Sequence, residues 1–99
     1  MSLKSFFIDI DETICHTDGI DYTSAKPIIE NIAKANKLFV EGHRITYWTA
    51  RGAVTKINWR ELTEKQLKEW GCLYHELRLD KPAFDVFIDD KAMNSKDWQ

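Results

Sequence analysis

Two aspartates, Asp9 and Asp11, stand at the end of an apolar run close to the start of the chain, in the segment FFIDIDET. The run predicts a buried β-strand, and carboxylates are among the groups least often buried. Polar groups follow three other predicted strands in the same way: Thr49, Lys81, and the pair Asp89 and Asp90. Residues of these types could carry metal and phosphate chemistry if the fold brings them together.

The pattern of the chain predicts a fold of that kind. Short β-rich apolar runs alternate with longer stretches of helical periodicity, which is typical of an α/β protein with a parallel sheet and crossover helices. In such a sheet, ligands bind outside the carboxyl ends of the strands. We therefore expect all of the polar signals to face one crevice.

The elements can be assigned from periodicity and from helix-end signals. We predict strands over residues 5–10, 44–49, 75–79 and 84–89. Pro27 suits the start of a first helix, and Gly42 is its expected stop. Thr63 and Gln66 fit a T-x-x-Q capping box for a second helix that ends before Gly71. Residues 12–26 predict a polar flap that is functional or mobile, and residues 53–62 are expected to be helical in part.

Composition limits the class of protein. A chain of 99 residues predicts a single domain spanning residues 1–99. The net charge is −2 and the sequence pI is about 5.9, so no global field attracts nucleic acid. No apolar run approaches the ~20 residues of a membrane span, and no signal peptide opens the chain. The two cysteines, Cys15 and Cys72, match no disulfide or zinc pattern, so we expect a soluble cytoplasmic protein without a membrane partner.

The polar signals predict a phosphoryl site with a metal. Two carboxylates ~4 Å apart repel each other by about 4 kcal/mol at an effective dielectric constant near 20, and a divalent cation would relieve that repulsion. A ligand set of oxygens alone favours Mg²⁺. Lys81 adds a positive charge and Thr49 adds a hydroxyl donor, which suit the oxygens of a phosphoryl group.

The order of these motifs resembles that of the haloacid dehalogenase-like (HAD) phosphohydrolases. The matching residues are the D-x-D-x-T motif from Asp9 to Thr13, then Thr49, Lys81 and the pair Asp89–Asp90, which together span residues 6–91 with their flanks. The resemblance implies a three-layer Rossmann-like fold with a small parallel sheet of about four strands. The intervals between motifs hold only a loop and a helix each, so no cap domain is expected.

The resemblance also implies a role for each matched residue. Asp9 would be the nucleophile that forms an aspartyl-phosphate. Asp11 would protonate the leaving oxygen and then activate water. Thr49 and Lys81 would hold the phosphoryl oxygens.

For the metal, the resemblance implies Mg²⁺ as cofactor. Its ligands would be the Asp9 carboxylate, the backbone carbonyl of Asp11 and one aspartate of the acidic pair. We expect Asp90 to be the direct ligand and Asp89 to lie near Lys81.

The substrate is less constrained. Small capless chains resemble phosphatases of sugar or polyol phosphates in surface-polysaccharide pathways, so we expect a small phosphorylated substrate. His16 in the flap and Arg51 after the second strand are candidate substrate contacts, although the sequence favours an ordinary exposed side chain at each position. The family usually has Gly where this chain has Glu12, which affects the loop geometry and the choice of substrate.

Three other functions remain open. One is a catalytically silent relative that binds a phosphorylated ligand or a partner protein. A second is a polynucleotide 3′-phosphatase, which the acidic balance disfavours. A third is a phospho-accepting receiver module, which uses similar residues in a different order along the chain. An open site without a cap also makes a homodimer plausible.

Overall fold

The structure is a computed structural model that describes residues 2–99. It contains a three-stranded parallel sheet, a two-stranded antiparallel sheet and two α-helices. In chain order these elements are β1 (Ser5–Ile8), β2 (Cys15–Asp18), β3 (Asp21–Pro27), α1 (Ile29–Val40), β4 (Arg44–Trp48), α2 (Arg60–Glu69) and β5 (Glu76–Arg78). A short 3₁₀ turn over Ser95–Asp97 follows near the end of the chain.

The parallel sheet has the strand order β1-β4-β5. Its central strand β4 pairs with β1 on one edge and with β5 on the other, and its side chains Ile45 and Tyr47 are fully buried in the core. Ile10, just beyond β1, is also fully buried and continues the core towards the carboxyl end of the sheet. Since all three strands run in the same direction, their carboxyl ends lie at one edge, as the sequence predicts.

The first helix confirms the predicted apolar periodicity. Ile32 and Ala35 face the core, and Gly42 follows the helix with φ of 100°, a conformation that glycine adopts without a side-chain clash. Pro27, however, is the last residue of β3 and not the first residue of the helix.

The predicted capping box of the second helix is wrong. The helix begins at Arg60, so Thr63 and Gln66 lie inside it, and both side chains are buried. Residues 53–62 are accordingly helical only from Arg60 onwards, after a turn and an irregular stretch.

The flap predicted over residues 12–26 is an antiparallel hairpin. Strands β2 and β3 pair through Cys15 with Pro27 and through His16 with Lys26. Cys15 is fully buried, whereas His16 is exposed, so one face of β2 packs on the core and the other meets solvent. The hairpin is therefore fixed to the core along one strand.

The fourth predicted strand, over residues 84–89, is wrong for the single chain. The sheet has three strands, and every residue from 82 to 93 is exposed without regular structure. Five residues, 79–83, separate the end of β5 from residue 84, whereas a crossover between parallel strands needs a dozen or more. We call residues 82–93 the C-terminal arm. Within residues 2–99, no helix is both long and apolar enough to cross a membrane.

Candidate active site

Three of the expected site residues meet at the carboxyl edge of the parallel sheet. Asp9 follows β1, Thr49 follows β4, and Lys81 lies three residues beyond β5. The Lys81 backbone N–H donates to the Thr49 carbonyl at 3.3 Å, which holds the strand ends together. The Lys81 ammonium then lies 3.5 Å from Oδ2 of Asp9.

Asp9 is positioned as an accessible but partly desolvated carboxylate. Its Oδ1 accepts a hydrogen bond from the Ile10 backbone N–H at 2.8 Å, and its side chain is 37% exposed. Burial raises the pKa of Asp9 above its usual value, and the neighbouring charge of Lys81 opposes that rise. One carboxylate oxygen is therefore held by the backbone while the other faces a cation.

Lys81 is held by aromatic rings as well as by charge. Its ammonium lies 5.6 Å from the centroid of the Trp48 ring and 5.4 Å from that of Phe84. Both distances fall within the range of cation–π attraction. With a side chain only 15% exposed, Lys81 is a partly buried cation held beside Asp9.

Asp11 is bound by a buried arginine. The Arg51 guanidinium donates from Nε to Oδ2 at 3.0 Å and from Nη2 to Oδ1 at 2.9 Å, and the Thr17 hydroxyl donates to Oδ1 at 2.6 Å. Burial raises the pKa of Asp11, but the hydrogen bonds from Arg51 and Thr17 outweigh it, so the pKa lies below its usual value. Asp11 is therefore an anion in a fixed orientation.

Arg51 is not placed as the exposed substrate contact that we expected. Its side chain is fully buried, and Nη1 donates to the Thr63 hydroxyl at 3.0 Å and to Gln66 Oε1 at 2.6 Å. Its guanidinium also lies 4.7 Å from the centroid of the Tyr22 ring in the hairpin. Arg51 thus joins three elements, α2, the hairpin and the Asp11 loop, and orients Asp11.

Thr49 is also buried, with 1% of its surface exposed. Its Oγ1 accepts the Arg51 backbone N–H at 3.1 Å, which leaves the hydroxyl hydrogen as a donor. This bond starts the turn that carries Arg51 inwards from the end of β4.

The hairpin places His16 between two acidic side chains. His16 Nδ1 lies 3.1 Å from Glu12 and Nε2 lies 3.3 Å from Asp18. Hydrogen bonding to Glu12 is the main cause of a raised pKa for His16. Glu12 itself has φ of 65°, a left-handed conformation that a glycine at this position would adopt easily.

Asp89 and Asp90 are not near the other carboxylates in the single chain. Both lie in the C-terminal arm and are exposed. Across residues 2–99, no three side chains of His, Cys, Asp or Glu come together as a metal site. In one copy of the chain, Asp9 and Asp11 therefore lie apart from the acidic pair, which the sequence predicts to be beside them.

An open depression of about 500 Å³ lies beside Lys81. It is bounded by the turn after β4 and by the start of the C-terminal arm, and its lining includes Gly52, Lys56 and Pro82. The depression gives a small molecule room next to the Lys81 ammonium, with a second lysine at its rim.

Sequence reasoning did not place Thr17 in the site, although its hydroxyl binds Asp11, and it assigned Thr63 and Gln66 to a helix cap. Thr63 and Gln66 bind Arg51, and their spacing of three on a helix was the available signal, since it puts both side chains on one face. Only the burial of both positions distinguishes this arrangement from an exposed cap.

Comparison with known proteins supports the fold. No family model matches the chain, and no curated protein matches it. The crystal structure of an MCSG target from Vibrio cholerae is similar, with a TM-score of 0.86 and 23% sequence identity, over 95% of this chain and 85% of that one. About five of 99 residues thus stay unmatched, fewer than the C-terminal arm contains, so the match extends into the arm.

Proposed function

We propose that this protein is a phosphomonoesterase of the HAD-like type, with the α/β fold of that family, and that Asp9 is its nucleophile. The observation that carries the proposal is the pair of Asp9 and Lys81, whose charged atoms lie 3.5 Å apart at the carboxyl edge of a parallel sheet. A nucleophilic carboxylate beside a cation that can neutralise the phosphoryl oxygens is what phosphoryl transfer to aspartate requires.

The first chemical step is attack by the Asp9 carboxylate on phosphorus. The bond from phosphorus to the ester oxygen breaks as the bond to the Asp9 oxygen forms, and the released alkoxide takes up a proton, which water supplies in the first turnover and protonated Asp11 supplies in later ones. Lys81 and the Thr49 hydroxyl hydrogen bind the phosphoryl oxygens, where charge accumulates. Water then attacks phosphorus, and inorganic phosphate and free Asp9 are regenerated.

We assign the proton transfers of both steps to Asp11. Because Arg51 and Thr17 hold its pKa low, Asp11 is ionised at neutral pH and can accept a proton from the attacking water. The proton it gains can then be delivered to the leaving oxygen of the next substrate molecule. Arg51 keeps the carboxylate oriented for both transfers.

Mg²⁺ is part of the proposal, although the described residues of one chain do not make a complete site for it. Asp9 and the Asp11 backbone offer oxygen ligands, but no third acidic side chain joins them within residues 2–99. When bound, Mg²⁺ would neutralise charge on the phosphoryl group.

The proposed substrate is a small phosphate ester, such as a sugar or polyol phosphate of a surface-polysaccharide pathway. The depression beside Lys81 has room for a molecule of that size, and Lys56 at its rim suits a hydroxylated or anionic group. The net charge of −2 disfavours a polynucleotide.

The test is phosphate release from a panel of esters, in Mg²⁺ and in EDTA. The panel holds sugar, polyol and amino-alcohol phosphates, nucleotides and a 3′-phosphorylated oligonucleotide. We expect metal-dependent release from a small ester, abolished in Asp9→Asn and retained in the matched control Asp97→Asn, a change at an exposed residue of the 3₁₀ turn. Unchanged circular dichroism would show that Asp9→Asn is folded, and an active Asp9→Asn protein would overturn the nucleophile assignment.

The second candidate is a silent relative that binds a phosphorylated ligand without turnover. The separation of Asp89 and Asp90 from Asp9 favours it, since an incomplete acidic set binds metal poorly. Folded wild-type protein that binds a phosphate ester calorimetrically and releases no phosphate would support this candidate.

A further inference from the structure

The C-terminal arm has the composition of a buried strand but is exposed. In FDVFIDD, residues 84–90, Val86 is 74% exposed and Ile88 is 93% exposed. Soluble proteins rarely leave contiguous apolar side chains of this kind in water, and such patches mark interaction sites.

The sheet has an unpaired strand edge that fits the arm. Within residues 2–99, β1 pairs only with β4, on one side, and its other edge carries unpaired backbone groups. Phe7 on β1 is 52% exposed. An apolar edge strand of this type readily accepts another strand.

Within one chain, the arm cannot pair as a parallel strand with the free edge of β1. The five residues 79–83 are too few for a parallel crossover from β5 to the far side of β1. A tight reversal would instead give an antiparallel strand, which would carry Asp89 and Asp90 to the amino end of the sheet, away from Asp9. Parallel pairing therefore requires a strand edge that belongs to another molecule.

We propose that two copies of this chain exchange their C-terminal arms. Residues 84–90 of each copy add as a parallel strand to the free edge of β1 in the other copy. This two-fold exchange buries the arm's apolar residues and pairs the β1 edge in both molecules. It also places Asp89 and Asp90 of one copy at the carboxyl end of the other copy's β1, beside Asp9 and Asp11.

The sequence before the arm suits such an exchange. Pro82 fixes its own φ and biases Lys81 towards an extended backbone, so the chain is locally stiff where the arm begins. After the arm, Ser95 donates to the Glu12 carbonyl at 3.3 Å and the Trp98 carbonyl accepts from Lys34 at 2.6 Å. In the single chain the tail makes these contacts on its own Glu12 and Lys34, and in the exchanged dimer it would make them on the copy that receives the arm.

The exchange would complete the active site, and this part of the inference rests on the proposed function. Each site would then contain the nucleophile of one chain and the acidic pair of the other. The added carboxylates would supply the oxygen ligands that one chain does not bring together. The protein would be active only as the exchanged dimer.

The exchange can be tested without any assay of activity. If Asp89 lies beside Asp9, then Asp85 lies beside Ser5, since each is four residues earlier. Neighbouring strands lie ~4.8 Å apart, which is within the range that a disulfide bridges. We expect an equimolar mixture of Ser5→Cys and Asp85→Cys, unfolded, refolded together and oxidised, to give a covalent dimer on a non-reducing denaturing gel.

The native thiols should not interfere. Cys15 and Cys72 are buried, and burial raises their pKa values to about 12 and 11. Each single variant alone should remain non-covalent, and so should the control mixture of Asp85→Cys with Lys37→Cys, which is exposed on α1. A double variant that forms an internal disulfide in a monomer, or wild type that sediments as a monomer at all concentrations, would overturn the exchange.

A weakened arm offers a second measurement. Ile88→Asp puts a charge on a side chain that touches little in the single chain, so the core should fold as in wild type. We expect native circular dichroism with a monomeric sedimentation coefficient. A fully dimeric Ile88→Asp protein would show that the dimer uses another surface.

Complementation separates the exchange from the proposed function. Neither Asp9→Asn nor the double variant Asp89→Asn with Asp90→Asn should release phosphate alone. Refolded together, they form mixed dimers in which one of the two sites is intact, and random pairing gives about a quarter of wild-type activity. If the cysteine variants cross-link but the wild type releases no phosphate, the phosphatase proposal is overturned and the exchange stands. If a monomer releases phosphate, the exchange is overturned and the phosphatase proposal stands.

Discussion

At the scale of single residues, the most constrained group is the Arg51 side chain. It is fully buried and makes hydrogen bonds to side chains from the Asp11 loop and from α2. A buried guanidinium is stable only if its donors are satisfied, and here Asp11 supplies the compensating charge. The stability of the chain and the orientation of Asp11 therefore depend on the same residue.

Replacing this arginine should be strongly destabilising. We expect Arg51→Met to lower the free energy of unfolding by about 2 to 3 kcal/mol, because it leaves Asp11 partly buried without its cation. Urea denaturation measures the change. Arg78→Met is the matched control, since Arg78 pairs with Asp80 on the surface and such pairs contribute about 1 kcal/mol or less. Equal losses in the two variants would contradict the structural role of Arg51.

The ion pair of Asp11 with Arg51 also predicts how the free energy of unfolding changes in acid. The pKa of Asp11 is lowered in the folded protein, so its contribution is fully present above the usual value of 3.8 and is lost as pH falls through the lower folded value. We expect the stability gap between wild type and Arg51→Met to be constant near neutral pH and to narrow in acid, as the pH falls through the higher Asp11 pKa of the variant and then through the lowered pKa of wild type. Urea titrations at several pH values test this, and a gap that widens in acid would contradict it.

Glu12 combines an unfavourable backbone with useful side-chain contacts. Its φ of 65° disfavours any residue with a side chain, yet its carboxylate accepts the Thr17 backbone N–H at 3.0 Å. Glu12→Ala loses the contact and keeps the strain, whereas Glu12→Gly loses both. We expect Glu12→Gly to be more stable than Glu12→Ala by about 1 kcal/mol in urea denaturation. Equal stability would mean that the left-handed conformation is not maintained in solution.

At the scale of elements, the turn after β4 has to bring Arg51 into the core and form one side of the depression. Gly52 makes this possible with φ of 84°, and a Cβ there would lie 2.4 Å from the Ile57 carbonyl oxygen. The turn at Gly52 therefore packs directly against the backbone of Ile57. This packing orients both Arg51 and the lining of the depression.

Two glycines allow the clash to be separated from the backbone strain. Gly71 also has a positive φ, of 71°, but a Cβ there would have no atom within 4 Å. We expect Gly71→Ala to lower the free energy of unfolding by about 1 kcal/mol and Gly52→Ala by roughly 2 kcal/mol or more. Thermal and urea denaturation of both variants measure the difference. A smaller loss for Gly52→Ala would mean that the loop moves away easily.

At the scale of the whole molecule, metal binding and dimer formation should be linked. Exchange of the arms brings four carboxylates to each site, and their repulsion opposes association unless a cation is present. We compare the dimer in EDTA with the dimer at a Mg²⁺ concentration ten times the dissociation constant of the metal. In Mg²⁺, we expect the dissociation constant of the dimer to fall by at least about tenfold. Sedimentation velocity measures this shift. It should be reduced in Asp9→Asn, and an equal shift in that variant would place the metal elsewhere.

Much of this protein could be predicted from the sequence. Apolar periodicity and strand-end positions predicted β1, β4, β5 and α1, because local patterning and burial agree there, whereas residues 12–26 were predicted only as a polar flap and not as a hairpin. The same reasoning predicted that Asp9, Thr49 and Lys81 lie together, since the carboxyl ends of parallel strands share one edge. Their catalytic roles stay predictions until activity is measured.

Other features were decided only by the tertiary structure. Arg51 was expected to be exposed, and Thr63 and Gln66 were expected to cap a helix, because sequence alone does not show which polar side chains find one another in the core. The segment over residues 84–89 has a strand's composition, yet composition says nothing of whether the connection before it is long enough to reach a partner strand. The local sequence pattern is enough to show which segments bury apolar side chains. Which strand edges those segments pair with, and which charged side chains come into contact, depends on the three-dimensional path of the chain.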